Sequence, residues 1–203
     1  QCSSYTDTPC NGTSQKCSST NDVCGTTRIR NAVSTGYLWS SFFYIRSCVS
    51  FAECNKIGTI SGLYSNTSTS TTCCNSDNCT PPTPPMPVQN ITANGRQCPS
   101  YLETQLVPCE FKNLTNCMGN QNLCIRYSST TTIGSSKSSL LLGGCASESI
   151  CSTTKSYISA PGLTLEVERS CNNNANRFYY CMVSVLLIPL LSSFISHCNL
   201  LLS

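Results

Sequence analysis

Eighteen cysteines in 203 residues constrain this chain more than any other feature. In the first half they stand at positions 2, 10, 17, 24, 48, 54, 73, 74 and 79. In the second they stand at 98, 109, 117, 124, 145, 151 and 171, with two more at 181 and 198. Setting 10 against 109, 17 against 117, 24 against 124, 48 against 145, 54 against 151 and 73 against 171 gives offsets of 99, 100, 100, 97, 97 and 98. "SCVSFAEC" (Ser47 to Cys54) then lies against "GCASESIC" (Gly144 to Cys151). A near-constant period marks a duplicated unit. The sequence therefore predicts two homologous domains, residues 1–80 and 95–176, joined by a linker over 81–94 and followed by an apolar tail over 177–203.

So many cysteines in a chain this size signal a disulfide scaffold made in an oxidising compartment. Sequons at Asn11, Asn66, Asn78, Asn90 and Asn113 point to the same secretory route. Asn78 is set aside, because Cys79 in its middle position is expected to be cross-linked early. The expected N-glycosylation sites are thus Asn11, Asn66, Asn90 and Asn113, on an extracellular protein. A net charge of +3 with scattered basic residues lacks the clustered basic face that nucleic-acid binding needs.

Between the cysteines lie short runs rich in Thr, Ile, Val, Tyr and Phe. "TTRIR" and "SFFYIRSC" flank the turn-rich "NAVSTGYLWS" and predict a long hairpin. "LTLEVE" (Leu163 to Glu168) alternates apolar and polar as a half-buried strand does. No helical period precedes the tail. The expected fold is small, disulfide-rich and all-β. "TPPTPPMPVQNITANG" (Thr80 to Gly95) reads as a semi-rigid spacer, since proline cannot donate to a sheet ladder and favours an extended backbone.

Catalysis finds no support in the residues. The single histidine, His197, lies in the tail. "CCNSDNC" (Cys73 to Cys79) superficially resembles the active-site run of secreted phospholipases A2, but no histidine is there to act as base. A Ser or Cys nucleophile would meet the same absence. The expectation is a protein without catalytic residues, cofactor or metal.

"CCNSDNCT" also carries a family resemblance. With the spacing from Cys2 to Cys24 and from Cys48 to Cys54, it is similar to the Ly-6/uPAR, or three-finger, superfamily, whose domains end on C-C-x-x-D-x-C-N. Thr80 stands in place of the final Asn. Among two-domain members the chain resembles the gamma-type phospholipase A2 inhibitors and their amphibian relatives, and the likeness spans Cys2 to Cys171. The resemblance implies two tandem three-finger domains. It implies bridges Cys2–Cys10, Cys17–Cys48, Cys54–Cys73 and Cys74–Cys79 in the first, and Cys98–Cys124, Cys117–Cys145 and Cys151–Cys171 in the second. It gives Cys24 a partner three residues before Cys2, so either the N-terminus is shortened or Cys24 is a free thiol. Tyr101 stands where the family places the partner of Cys109, which leaves Cys109 unpaired or bridged unusually. Asp77 is expected to cap the terminal loop closed by Cys74–Cys79.

The second copy lacks that terminal loop and runs instead into a nearly continuous apolar stretch from Phe178 to Leu202. Small residues ahead of a terminal apolar segment are the pattern of glycosylphosphatidylinositol (GPI) attachment, with Asn173 or Asn174 as expected sites. A membrane span is the other reading, although no Lys or Arg follows Arg177. At the first long hairpin, Tyr37, Leu38 and Trp39 form the most apolar turn and are the candidate ligand contacts, since Trp and Tyr recur at interface hot spots. Packing against a neighbouring hairpin is their structural alternative. The expected function is a GPI-anchored glycoprotein binding a protein ligand through its hairpin loops. Alternatives are a soluble inhibitor of secreted phospholipase A2 and a secreted signalling or pheromone-like protein.

Overall fold

The computed structural model describes residues 1–34, 38–76, 78–104 and 110–173. The described residues are mostly β-strand. Five strands form in the first half: β1 (Cys2–Ser4), β2 (Asp22–Ser34), β3 (Leu38–Ser50), β4 (Ile57–Gly62) and β5 (Ser65–Cys74). Six follow: β6 (Ala93–Thr104), β7 (Glu110–Met118), β8 (Leu123–Ile133), β9 (Ser136–Ala146), β10 (Lys155–Ala160) and β11 (Leu163–Asn172). Among the described residues, helix is confined to a 3-10 turn at Phe51–Glu53 and one turn, α1, at Glu148–Cys151. The β2–β3 hairpin is the long one expected, with strands running into the turn-rich stretch from both sides. In β11, Leu163, Leu165 and Val167 face inward while Glu166 and Glu168 face out, the alternation read from the sequence.

All strands join one antiparallel sheet. Its first part runs β1–β3–β2–β5–β4. The same order recurs as β6–β9–β8–β11–β10, with β7 added outside β6. Registers agree with the cysteine offsets: Gly25 opposes Cys73, and Ile125 opposes Cys171. The two parts meet through β4 and β9, where Ile60, Ser61 and Gly62 oppose Ala146, Cys145 and Gly144. This junction needs its glycines. A Cβ on Gly144 would stand 2.0 Å from the Ser61 carbonyl oxygen, so any side chain there would push the strands apart.

The apolar core is built between the halves. Ile60 and Leu63 from the first pack with Leu102, Ile125, Leu142, Ala146 and Ile150 from the second. Ile45, with Ile29 and Phe43 beside it, packs against Ile158, Ala160, Leu163, Leu165 and Val167. Fully burying an Ile, Leu or Val side chain of this kind contributes about 1.5–3 kcal/mol. The inner face of the first half's own sheet is held by small polar pairs instead, Thr27 to Thr71 at 3.0 Å and Thr67 to Asn31 at 3.0 Å. Seven disulfides among the described residues supplement this core: Cys2–Cys10, Cys17–Cys48, Cys54–Cys73, Cys74–Cys79, Cys98–Cys124, Cys117–Cys145 and Cys151–Cys171.

The Pro-rich stretch is not a bare spacer. The backbone of residues 81–84 lies on the outer face of β2 and β5 as a strap. Thr26 Oγ1 donates to the Pro81 carbonyl (3.3 Å), Thr72 Oγ1 donates to that of Pro82, and Arg28 Nη1 donates to that of Pro84 (2.9 Å). The Tyr44 and Thr83 hydroxyls lie 3.1 Å apart. Pro81 and Pro84 are buried. Proline has no N–H to leave unsatisfied, so such a segment can cover a sheet face while its carbonyls take donors from beneath.

Candidate functional site

The bridges and the hairpin turns sit at opposite ends of the strands. Cys24, Cys48, Cys73 and Cys74 lie at the starts or ends of β2, β3 and β5 that face away from their turns, and Cys54 precedes β4. Cys124, Cys145 and Cys171 repeat this on β8, β9 and β11, and Cys151 precedes β10. The result is a cross-linked base from which hairpins project. Loops on a rigid base can vary without costing the fold, so binding residues concentrate there.

Of the candidate ligand contacts, Tyr37 lies outside the described residues. Leu38 and Trp39 open β3, paired with Ser34 and Val33, and their side chains also lie outside what is described. So do Asp77, Cys109, the Asn113 side chain, Asn174 and the tail 177–203. Asn173 is the last described residue, its carbonyl accepting from Arg96 Nη1 at 2.8 Å.

The expected glycosylation sites differ in setting. Asn11 is exposed, with its Oδ1 accepting from Arg46 Nη1 at 3.2 Å. Asn90 is exposed, and its Oδ1 accepts from the Thr92 amide at 2.9 Å. Asn66 sits within β5 between β2 and β4, and its Oδ1 is buried without a partner among the described residues.

Cys24 is a free thiol, paired in register with Cys48 and Cys74, each bridged elsewhere. Its counterpart Cys124 is bridged to Cys98, three residues before Tyr101. In the second half the sulfurs of Cys98, Cys117 and Cys145 lie within 4.8 Å of one another. Metal binding needs thiolates, and all three are committed to disulfides.

One polar cluster escaped the sequence reading. Glu53, at the 3-10 turn of the first half, receives Lys56 Nζ at 3.2 Å, Thr153 Oγ1 at 2.6 Å and Arg169 Nη1 at 3.4 Å. Lys56 Nζ also donates to Thr153 Oγ1 at 2.7 Å. Burial raises the Glu53 carboxyl, but the Thr153 hydrogen bond and the charges of Arg169 and Lys56 together outweigh it and hold the group below its ordinary value. Burial pulls the Lys56 ammonium below its ordinary value despite the attraction of Glu53. The cluster joins residues 116 positions apart, a distance at which no local pattern links them. Its four residues are each partly buried, and their hydrogen bonds and charges link Glu53 and Lys56 of the first half to Thr153 and Arg169 of the second.

No family model matches the chain.

Proposed function

We propose that this is a non-enzymatic extracellular glycoprotein of two tandem three-finger domains, held at the cell surface by a GPI anchor and binding a protein ligand through its hairpin loops. The observation that carries the reading is the separation of the bridged base from the projecting hairpins, repeated in both halves. Sequons at exposed Asn11 and Asn90, and the apolar tail after Asn173, support the surface location. The ligand is a protein because the aromatic turn at Tyr37, Leu38 and Trp39 matches the residue types that anchor protein interfaces. A secreted phospholipase A2 belongs to the same ligand class.

Two measurements test the reading. A phosphatidylinositol-specific phospholipase C should release the protein from expressing cells. Retention on the cells would leave a membrane span, and its appearance in the medium without the enzyme would leave the soluble inhibitor or signalling readings. Trp39→Ala should then weaken ligand capture by about tenfold or more, the range of an interface hot spot, while leaving the disulfides intact.

A further inference from the structure

The outer face that the strap covers in the first half has an equivalent in the second that no described residue covers. The registers align Thr26, Arg28 and Arg30 on β2 with Arg126, Ser128 and Thr130 on β8, and Ser68, Ser70 and Thr72 on β5 with Glu166, Glu168 and Ser170 on β11. In the first half this face is closed: Ser68 is 3% exposed and Ser70 2%, beside the strap that Thr26, Thr72 and Arg28 hold by its carbonyls. In the second half it is an open groove of about 490 Å³ lined by Ser128, Thr130, Lys155, Tyr157, Glu166 and Glu168.

We propose that this groove docks an extended, proline-containing segment of another protein, bearing a basic side chain. Three features support that occupant. Ser128 stands where Arg28 donates to the strap, so a hydroxyl donor is set at the position that holds a proline carbonyl. Tyr157 is 58% exposed on β10, the edge strand, and offers an apolar ring to a pyrrolidine. Glu168 is paired with Lys155 at 2.7 Å, whereas Glu166 has no ion-pair partner among the described residues. Its charge selects the cation. The strap's hydrogen bonds run from Thr26 and Thr72 toward Arg28, hence toward the hairpin turn. The next level on that face is Arg30 with Ser68, equivalent to Thr130 with Glu166. The basic residue therefore belongs about two positions after the proline whose carbonyl meets Ser128. This site is separate from the fingertip reading and does not depend on it.

The test uses the full chain and two labelled synthetic peptides. One is PPTPPMPV, the protein's own residues 81–88; the other, PPTPPRPV, places Arg at the Met86 position. Fluorescence anisotropy should show the Arg peptide binding about threefold to fivefold more tightly, the range of an exposed ion pair. Glu166→Gln should erase that difference, and added salt should reduce it. Tyr157→Ala should weaken both peptides by about tenfold. Both residues are exposed, so circular dichroism should show these variants folded. Binding that ignores both substitutions, as when a peptide merely displaces the native strap, would overturn the proposal, as would no binding by millimolar peptide.

Discussion

At the scale of single residues, Tyr101 shows how a disulfide position is refilled. Cys2 opposes Arg46 on β3, and Tyr101 opposes Gly143 on β9. Arg46 and Gly143 differ by the same 97 positions as Cys48 and Cys145, so Tyr101 occupies the place of Cys2. The ring is 1% exposed and packs in a cluster with four bridged cysteines. A Cβ on Gly143 would stand 2.2 Å from Tyr101 Cε1, so the tyrosine requires the glycine. Gly143→Ala should therefore cost about 1–3 kcal/mol, as overpacking does. The Tyr101 hydroxyl is buried with no hydrogen-bond partner among the described residues, and burial pushes its phenol up. Removing a buried, unsatisfied polar atom removes a desolvation penalty. Tyr101→Phe should leave stability unchanged or raise it by about 1 kcal/mol, measured by urea denaturation under non-reducing conditions. A clear loss would mean that the hydroxyl has a partner.

At the scale of elements, the Glu53 cluster and the strap tie segments together with polar contacts. Glu53 ionises more readily folded than unfolded, so its contribution is present above the ordinary glutamate range and is lost as pH falls through the lower folded value. Melting temperature should fall on acidification below about pH 4.5, starting at the unfolded value. Glu53→Gln should flatten that part of the profile while lowering stability at neutral pH. An unchanged acid profile would place the titration elsewhere. For the strap, Arg28 donates to Pro84 and also pairs with Asp7 at 2.7 Å. Arg28→Ala should speed amide exchange and proteolysis around Met86 to Gln89, with stability lower by about 1–2 kcal/mol. The cysteine rhythm, the long hairpin and the alternation in Leu163 to Glu168 were legible in the sequence because each depends on local spacing. The docking of the strap was not, since nothing in a proline run says which face it covers. One hint existed: the alternate small residues Ser68, Ser70 and Thr72 leave a shallow face that suits a thin, proline-rich segment.

At the scale of the whole molecule, the repeat reads as two units, yet the apolar packing joins them. Each half has its own bridges, whereas Ile60 and Leu63 reach the second half's cluster and Ile45 meets Ile158, Leu163 and Leu165. The joint is also closed by backbone. The Ser147 amide donates to the Thr59 carbonyl and the Thr59 amide donates to Ser147 Oγ, both at 3.0 Å, and Ser149 Oγ donates to the Ile57 carbonyl at 2.6 Å. Gln121 adds Nε2 to Thr59 Oγ1 at 3.0 Å and accepts from Ser61 Oγ at 2.7 Å. A half separated from its partner would expose these side chains and leave these donors and acceptors to water. The halves should therefore unfold in one cooperative transition with disulfides intact. Ile60→Ala tests this directly, because Ile60 belongs to the first half by sequence and to the second half's cluster by packing. The truncation should cost about 2–5 kcal/mol. If the core is shared, calorimetry should show a single peak moved as a whole. Were the halves independent, the peak would split, with the second half's bridged cluster melting at its original temperature. That outcome would reduce the inter-half packing to a contact between two separately stable bodies.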